Sequence, residues 1–193
     1  MEPKAHKPAA RHLLLIGLRG SGKSTVAPLL AQSLGAPCID LDQQTLALLG
    51  CDTVTQAWRE HGEPMFRQKE ARALQTALNE PPSVIAAGGG TPITPAAQSL
   101  IRSHQQQGDL VVVYLRADPA TLRARLETNA HSDDRPSLTG ADPLTEIETV
   151  HAARHPLYSS LADFVHESTG QSSDTVAAIM IVLSSHKKSP SKP

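Results

Sequence analysis

The chain has 193 residues, 39% of them hydrophobic, and a formal net charge of −1, which fits one compact domain able to bury most of its apolar surface. That charge balance gives no electrostatic footprint for nucleic acid or an anionic membrane, and favours a small-molecule ligand. Two cysteines, Cys38 and Cys51, point to a reducing cytoplasm, and the apolar run Leu13–Leu18 is too short to span a bilayer or serve as a secretory core region.

Residues 1–11, with Lys4, Lys7 and Arg11 beside Pro3 and Pro8, read as a disordered tail. A strand is expected at His12–Ile16, and directly after it residues 17–24 read Gly-Leu-Arg-Gly-Ser-Gly-Lys-Ser. This is a complete phosphate-binding loop. Gly17, Gly20 and Gly22 let the backbone turn its N–H groups onto a pyrophosphate, and the helix that follows, Lys23–Leu34, adds its positive end. Lys23 is placed to reach the β and γ phosphates, and the Ser24 hydroxyl to ligate Mg2+. Ser21 and Thr25 complete the expected nucleotide contacts.

A second strand, Pro37–Asp40, runs into Asp40-Leu41-Asp42. Ligands of open parallel sheets bind at the carboxyl ends of the strands, and residues two apart on a strand share a side. One aspartate can therefore approach Mg2+ and the other a hydroxylated substrate, although a helix N-cap accounts equally well for either taken alone. Helices follow at Leu41–Leu49, Val54–His61 and Glu63–Asn79. The span 43–80 is too long for a simple crossover, so part of it is expected to form a substrate-binding flap. Within it Arg67 and Glu70 fall three apart on a helix face and can pair. Oriented in this way, Arg67 can grip a substrate carboxylate through two parallel hydrogen bonds; an ordinary surface ion pair is the competing reading.

After a third strand, Ser83–Ala86, come Gly88-Gly89-Gly90 at the edge that carries the phosphate loop, a run suited to close ligand approach or to a flexible turn. Thr94 before Pro95, Asp118 before Pro119 and Asp142 before Pro143 signal the starts of helices Pro95–Gln106, Pro119–Glu127 and Asp142–His155. A fourth strand is expected at Leu110–Leu115, a fifth at Ala162–His166, and a last helix at Ser173–Leu183. Arg125 either stacks on the adenine or faces water. The polar stretch 129–142, holding Arg135 and Pro136, suits a lid whose arginine neutralises charge on the transferring phosphoryl group. Arg154, in Arg154-His155-Pro156-Leu157-Tyr158, is either a second carboxylate-reading cation or a favourable charge where that helix ends. None of the nine histidines is expected to ligate a metal, and residues 184–193 read as a second basic, proline-containing tail.

Taken jointly and in order, Gly17–Ser24, Asp40–Asp42, Phe66–Arg67, Gly88–Gly90, Arg135–Pro136 and Arg154–Tyr158 resemble the shikimate kinases, within the nucleoside-monophosphate-kinase-like branch of P-loop proteins. The resemblance covers essentially Leu13 to Leu183. It implies a three-layer α/β fold with a five-stranded parallel sheet in order 2-3-1-4-5, forming a single kinase domain over residues 12–183. It implies transfer of the ATP γ-phosphoryl group to the 3-hydroxyl of shikimate by a cytoplasmic monomer with Mg2+ as cofactor. Ser24 and Asp40 would serve the metal, while Asp42 would accept hydrogen bonds from the shikimate hydroxyls. Arg67 and Arg154 would hold the ring carboxylate, Glu70 would steer Arg67, and the Gly88–Gly90 backbone, Gly89 above all, would touch the substrate. Arg135 would close over the phosphates, and Trp58 would pack beside the ring or serve as a plain flap-core aromatic.

Two departures stand out: residues 167–174 lack the proline expected near the adenine, and the region 126–134 lengthens the lid. The alternatives are a gluconate kinase, a GTP-dependent switch protein or a non-catalytic nucleotide-binding regulator. The glycine triplet and the Arg154 motif count against the first, and the lack of an Asn-Lys-x-Asp guanine-reading motif against the second. Intact Lys23, Asp42 and Arg67 count against the third.

Overall fold

The structure, a computed structural model, describes residues 11–128 and 146–186. Its elements are β1 (His12–Ile16), α1 (Lys23–Leu34), β2 (Cys38–Asp40), α2 (Leu41–Leu49), α3 (Val54–Asn79), β3 (Val84–Ala86), a 3-10 turn at Thr91–Ile93, α4 (Pro95–Gln107), β4 (Leu110–Arg116), α5 (Pro119–Thr128), α6 (Ile147–Leu161), β5 (Phe164–Glu167) and α7 (Ser172–His186). All strand pairs are parallel, as the alternation of strand and helix signals predicts, and their order is β2-β3-β1-β4-β5, the one the family resemblance implies.

β1 sits at the centre, with Leu14 aligned to Ile85 on one side and Val112 on the other. Because side chains alternate along a strand, β1 feeds two cores. Leu14 and Ile16 pack with Leu74, Ile101, Tyr114 and Tyr158 from one face, whereas Leu13 and Leu15 pack with Val26, Leu30 and Ile179 of α1 and α7 on the other. Every β1 residue is buried, and from Leu13 to Ile16 the strand reads as an unbroken apolar run. The carboxyl ends of β1, β2 and β3 therefore emerge together at one rim, carrying residues 17–24, 40–42 and 88–90.

The helix starts at Thr94 and Asp118 are capped as expected. Thr94 Oγ1 accepts from the Ala97 N–H at 3.2 Å and Asp118 Oδ1 from the Thr121 N–H at 2.9 Å. The two helices expected at Val54–His61 and Glu63–Asn79 are both present. They meet at Gly62, whose φ of 76° and ψ of 158° break the helical path inside α3, with Pro64 two residues on.

Two helix ends differ from the sequence reading by three residues or more. α6 does not stop at His155: it carries Pro156 in its interior and continues to Leu161. The reason is tertiary, since Tyr158 and Leu161 are 0% and 1% exposed and anchor the last turns to the sheet. Arg154 is thus mid-helix, and the reading of it as a charge at a helix end falls. β2 ends at Asp40 and α2 covers Leu41–Leu49, as expected, so Asp42 lies in the first turn of α2 and does not share a strand face with Asp40. α7 runs past residue 183 to His186, into the stretch read as a tail. The expected lid at 129–142, including Arg135, and the predicted helix start at Asp142 lie outside the described residues.

Candidate active site

The phosphate loop is fixed by β1 beneath it and α1 beyond it. Gly20 and Gly22 adopt φ of 79° and 95°, in the left-handed region where only glycine is at ease. Gly22 caps α1 without a side chain, so the N–H groups of its first turn keep their face for a ligand. Lys23 is 7% exposed, with Nζ donating to the carbonyls of Gly17 and Leu18 at 2.9 Å each and to Ser21 Oγ at 3.4 Å. Its charge is stored inside the loop. Ser24 and Thr25 are exposed beside it.

Asp40 caps α2: Oδ1 accepts from the N–H groups of Asp42 at 2.9 Å and Gln43 at 3.2 Å. The cap and the metal-ligand reading coexist, because the cap uses one oxygen and Asp40 still lines the cleft beside Lys23 and Ser24. Asp42 reaches that cleft by helical geometry rather than by strand alternation.

A second cleft opens between α3 and α6. Arg67, 12% exposed at its side chain, is held by two carboxylates: Nη1 donates to Glu70 Oε2 at 2.9 Å, and Nε and Nη2 donate to Glu63 Oε1 at 3.1 and 3.0 Å. Its guanidinium carbon lies 5.5 Å from the Trp58 ring centre, and Trp58 meets Phe66 edge-on at 6.2 Å. Burial works against the Arg67 cation, but Glu70 and Glu63 outweigh it and raise its pKa. Glu70 is 1% exposed, and its second oxygen accepts from Thr91 Oγ1 at 2.6 Å. Burial pushes the Glu70 carboxyl above the usual carboxylate range, against Arg67 and Thr91, which favour its ionised form.

The glycine triplet proves to serve the chain's own side chains as well as any ligand. A Cβ on Gly88 would collide with Asp42 and Glu70, and one on Gly90 with the Arg67 guanidinium. Of the three glycines, Gly89 is the one that lines both clefts. Its carbonyl accepts from Arg154 Nη1 at 3.0 Å and from the Tyr158 hydroxyl one turn further along α6. Arg154 is thereby brought to the cleft that holds Arg67, Trp58 and Glu70. The Trp58 indole N–H is buried there without a hydrogen-bond partner among the described residues.

The two clefts meet along a shared wall of Arg19, Asp42, Gly89 and Leu126. Arg125 lies on the nucleotide side, where Nη1 donates to the Gly20 carbonyl at 3.1 Å and Nη2 to the Ser168 carbonyl at 2.6 Å. Ser168 in turn donates to the Ser21 carbonyl at 2.9 Å, tying the segment after β5 to the phosphate loop. Sequence reasoning missed Arg19, Glu63, Thr91 and Ser168. Glu63 had a signal, four residues before Arg67 on a helix; Thr91 and Ser168 act across long sequence gaps and had none.

Fold and site together define a small P-loop kinase, with one cleft at the head of α1 and a second between α3 and α6. The family profile for shikimate kinase matches residues 19–184. A shikimate kinase 2 of Yersinia enterocolitica is 35% identical over 178 residues, 91% of this chain and 97% of that protein. A shikimate kinase of Acinetobacter baumannii, solved in complex with shikimate, superposes with a TM-score of 0.82 at 26% identity, covering 94% of this chain and 97% of that one. The chain belongs to the shikimate kinase family. A gluconokinase of Sinorhizobium meliloti shares the fold alone, with a TM-score of 0.54 at 13% identity.

Proposed function

We propose that the chain is a shikimate kinase that uses ATP and Mg2+ to phosphorylate the 3-hydroxyl of shikimate, as a cytoplasmic monomer with one kinase domain. The observation that carries this reading is the shared wall. Arg67 and Arg154, two positioned guanidinium groups, flank one cleft, and Asp42 stands where that cleft meets the one holding Lys23 and Ser24.

The roles follow from the chemistry of each group. Arg67, kept in place by Glu63 and Glu70, would present its planar fork to the acceptor carboxylate, with Arg154 as the second cation. Asp42 would accept hydrogen bonds from the acceptor hydroxyls and aim the reacting oxygen at the terminal phosphorus. A new oxygen–phosphorus bond forms as the bond to the β-phosphate oxygen breaks and its electron pair leaves with ADP. The hydroxyl proton passes to Asp42 and then to solvent. Lys23 would exchange its loop carbonyls for the phosphate oxygens, and Arg135 would close over them from the lid.

Ser24 and Asp40 offer hard oxygen donors beside the phosphate loop, the set that Mg2+ prefers. Bound there, the ion supplies charge neutralisation on the phosphates. Among the described residues no helix is long and apolar enough to cross a membrane, and Cys38 and Cys51 are both free thiols, which fits the cytoplasm. ADP release measured with shikimate, with gluconate and with no acceptor tests the reading. Turnover with shikimate alone is expected; equal turnover with gluconate or without acceptor would overturn it.

A further inference from the structure

Away from both clefts, at the outer foot of the flap, the Cys51 sulfur, a Glu60 carboxylate oxygen and a His61 ring nitrogen lie within 4.8 Å of one another. We propose that Cys51, Glu60 and His61 form a binding site for Zn2+ that clamps the first half of α3 to the end of α2.

The donor set is one sulfur, one nitrogen and one oxygen, the mixture that suits a borderline-soft dication and not Mg2+. Bonds of about 2.0–2.3 Å in a tetrahedral site place the ligand atoms roughly 3.3–3.8 Å apart, and Cys51 Sγ already stands 3.9 Å from Glu60 Oε2. Only small side-chain adjustments are needed. Cys51 is 8% exposed while Glu60 and His61 are exposed, so the sulfur forms the floor and the open side admits the ion with a water as fourth ligand.

Glu60 is held for this task by its neighbours. Gln56 Nε2 donates to Glu60 Oε1 at 3.1 Å, and Gln56 Oε1 accepts from the Asp52 N–H at 2.9 Å. One glutamine thus keys the loop that presents the sulfur to the helix that presents the carboxylate, and leaves Oε2 turned toward Cys51. The thiol's present acceptors, Glu60 Oε2 and the Leu49 carbonyl at 3.6 Å, are weak partners that a metal bond readily replaces. On binding, the S–H bond breaks, the electron pair goes to the metal and the proton to solvent. Nothing is oxidised. A thiolate and a carboxylate together balance the charge of the dication.

The position gives the site a consequence. Cys51 packs with Val54, Ala57 and Phe66, and Trp58 lies against this cluster. His61 immediately precedes the break at Gly62. A metal held here stiffens the segment that carries Trp58 into the acceptor cleft, on the near side of the only left-handed residue in α3.

Co2+ titration of the full chain in a Cys38→Ser background tests the proposal. One equivalent should bind with a thiolate-to-cobalt charge-transfer band and quench the fluorescence of Trp58, the single tryptophan. Zn2+ should displace the cobalt, and excess Mg2+ should not. Cys51→Ser should abolish the band. His61→Ala, a change at an exposed position that leaves the fold and the basal turnover intact, should weaken binding by about tenfold or more. Zn2+ should raise the Tm of the parent but not of His61→Ala. No charge-transfer band, a band that survives His61→Ala with unchanged affinity, or displacement by Mg2+ would each overturn the assignment. The readouts need no turnover, so they stand apart from the kinase reading.

Discussion

The Arg67 guanidinium occupies the space in which a side chain on Gly90 would stand. Gly90 has φ −110° and ψ −5°, a conformation open to any residue. Its lack of a side chain is therefore a matter of room for Arg67 and not of backbone freedom. Gly90→Ala should displace the guanidinium with little effect on the fold. We expect the KM for shikimate to rise about tenfold, or roughly 1.4 kcal/mol, with the KM for ATP unchanged. Steady-state kinetics with each substrate varied in turn checks this; a parent-like KM for shikimate would mean that Arg67 can move without loss.

Arg67→Ala removes the cation itself. The kcat/KM for shikimate should fall by about 2–4 kcal/mol, roughly 30- to 700-fold, while nucleotide affinity measured by calorimetry stays near that of the parent. It also leaves Glu70 buried with Thr91 as its remaining hydrogen-bond partner among the described residues, so the Tm should drop. Equal weakening of ATP binding would contradict the acceptor role.

Lys23→Ala should leave shikimate binding intact and lower kcat by about 10²–10³-fold with both substrates saturating, through lost charge stabilisation on the transferring phosphoryl group. Rapid-quench measurement of the chemical step would separate this from slow product release. Turnover like that of the parent would exclude the role.

Acid should destabilise the fold through His12. This residue is 3% exposed, its Nδ1 accepts from the Ser83 N–H at 3.3 Å, and burial holds its pKa below the ordinary 6.5. Between that lowered value and 6.5 the unfolded chain binds more protons than the folded one. Stability therefore rises with pH through this window and falls as pH drops through it. His12→Asn, which keeps an acceptor for Ser83, should flatten the dependence of Tm on pH from neutrality to about pH 5. An unchanged slope would place the acid sensitivity elsewhere, with His151 and His166, both shifted in the same direction by burial, the next to substitute.

The parts of this molecule that follow from local chemistry were readable in its sequence. β1 and its glycine loop, the Gly62 break in the flap and the Arg67–Glu70 pairing each depend on residues within a few positions of one another. The parts that depend on distant partners were not. Pro156 looked like the end of a helix because the burial of Tyr158 and Leu161 that carries α6 past it is a tertiary effect. That Asp42, Glu70 and Arg67 fill the space above Gly88 and Gly90 was likewise invisible, because nothing local places those side chains there. Asp42 lines the cleft beside the phosphate loop from the first turn of α2, so strand alternation is not what brings it there.

Asp42 and Gly89 belong to the walls of both clefts, so among the described residues the two chambers adjoin at that point. A single bisubstrate compound can therefore span them, with an anionic ring seated beside Arg67 and a short polyphosphate mimic lying along α1. Joining two weak fragments across this gap would raise their combined affinity by effective concentration alone, provided that the linker matches the span.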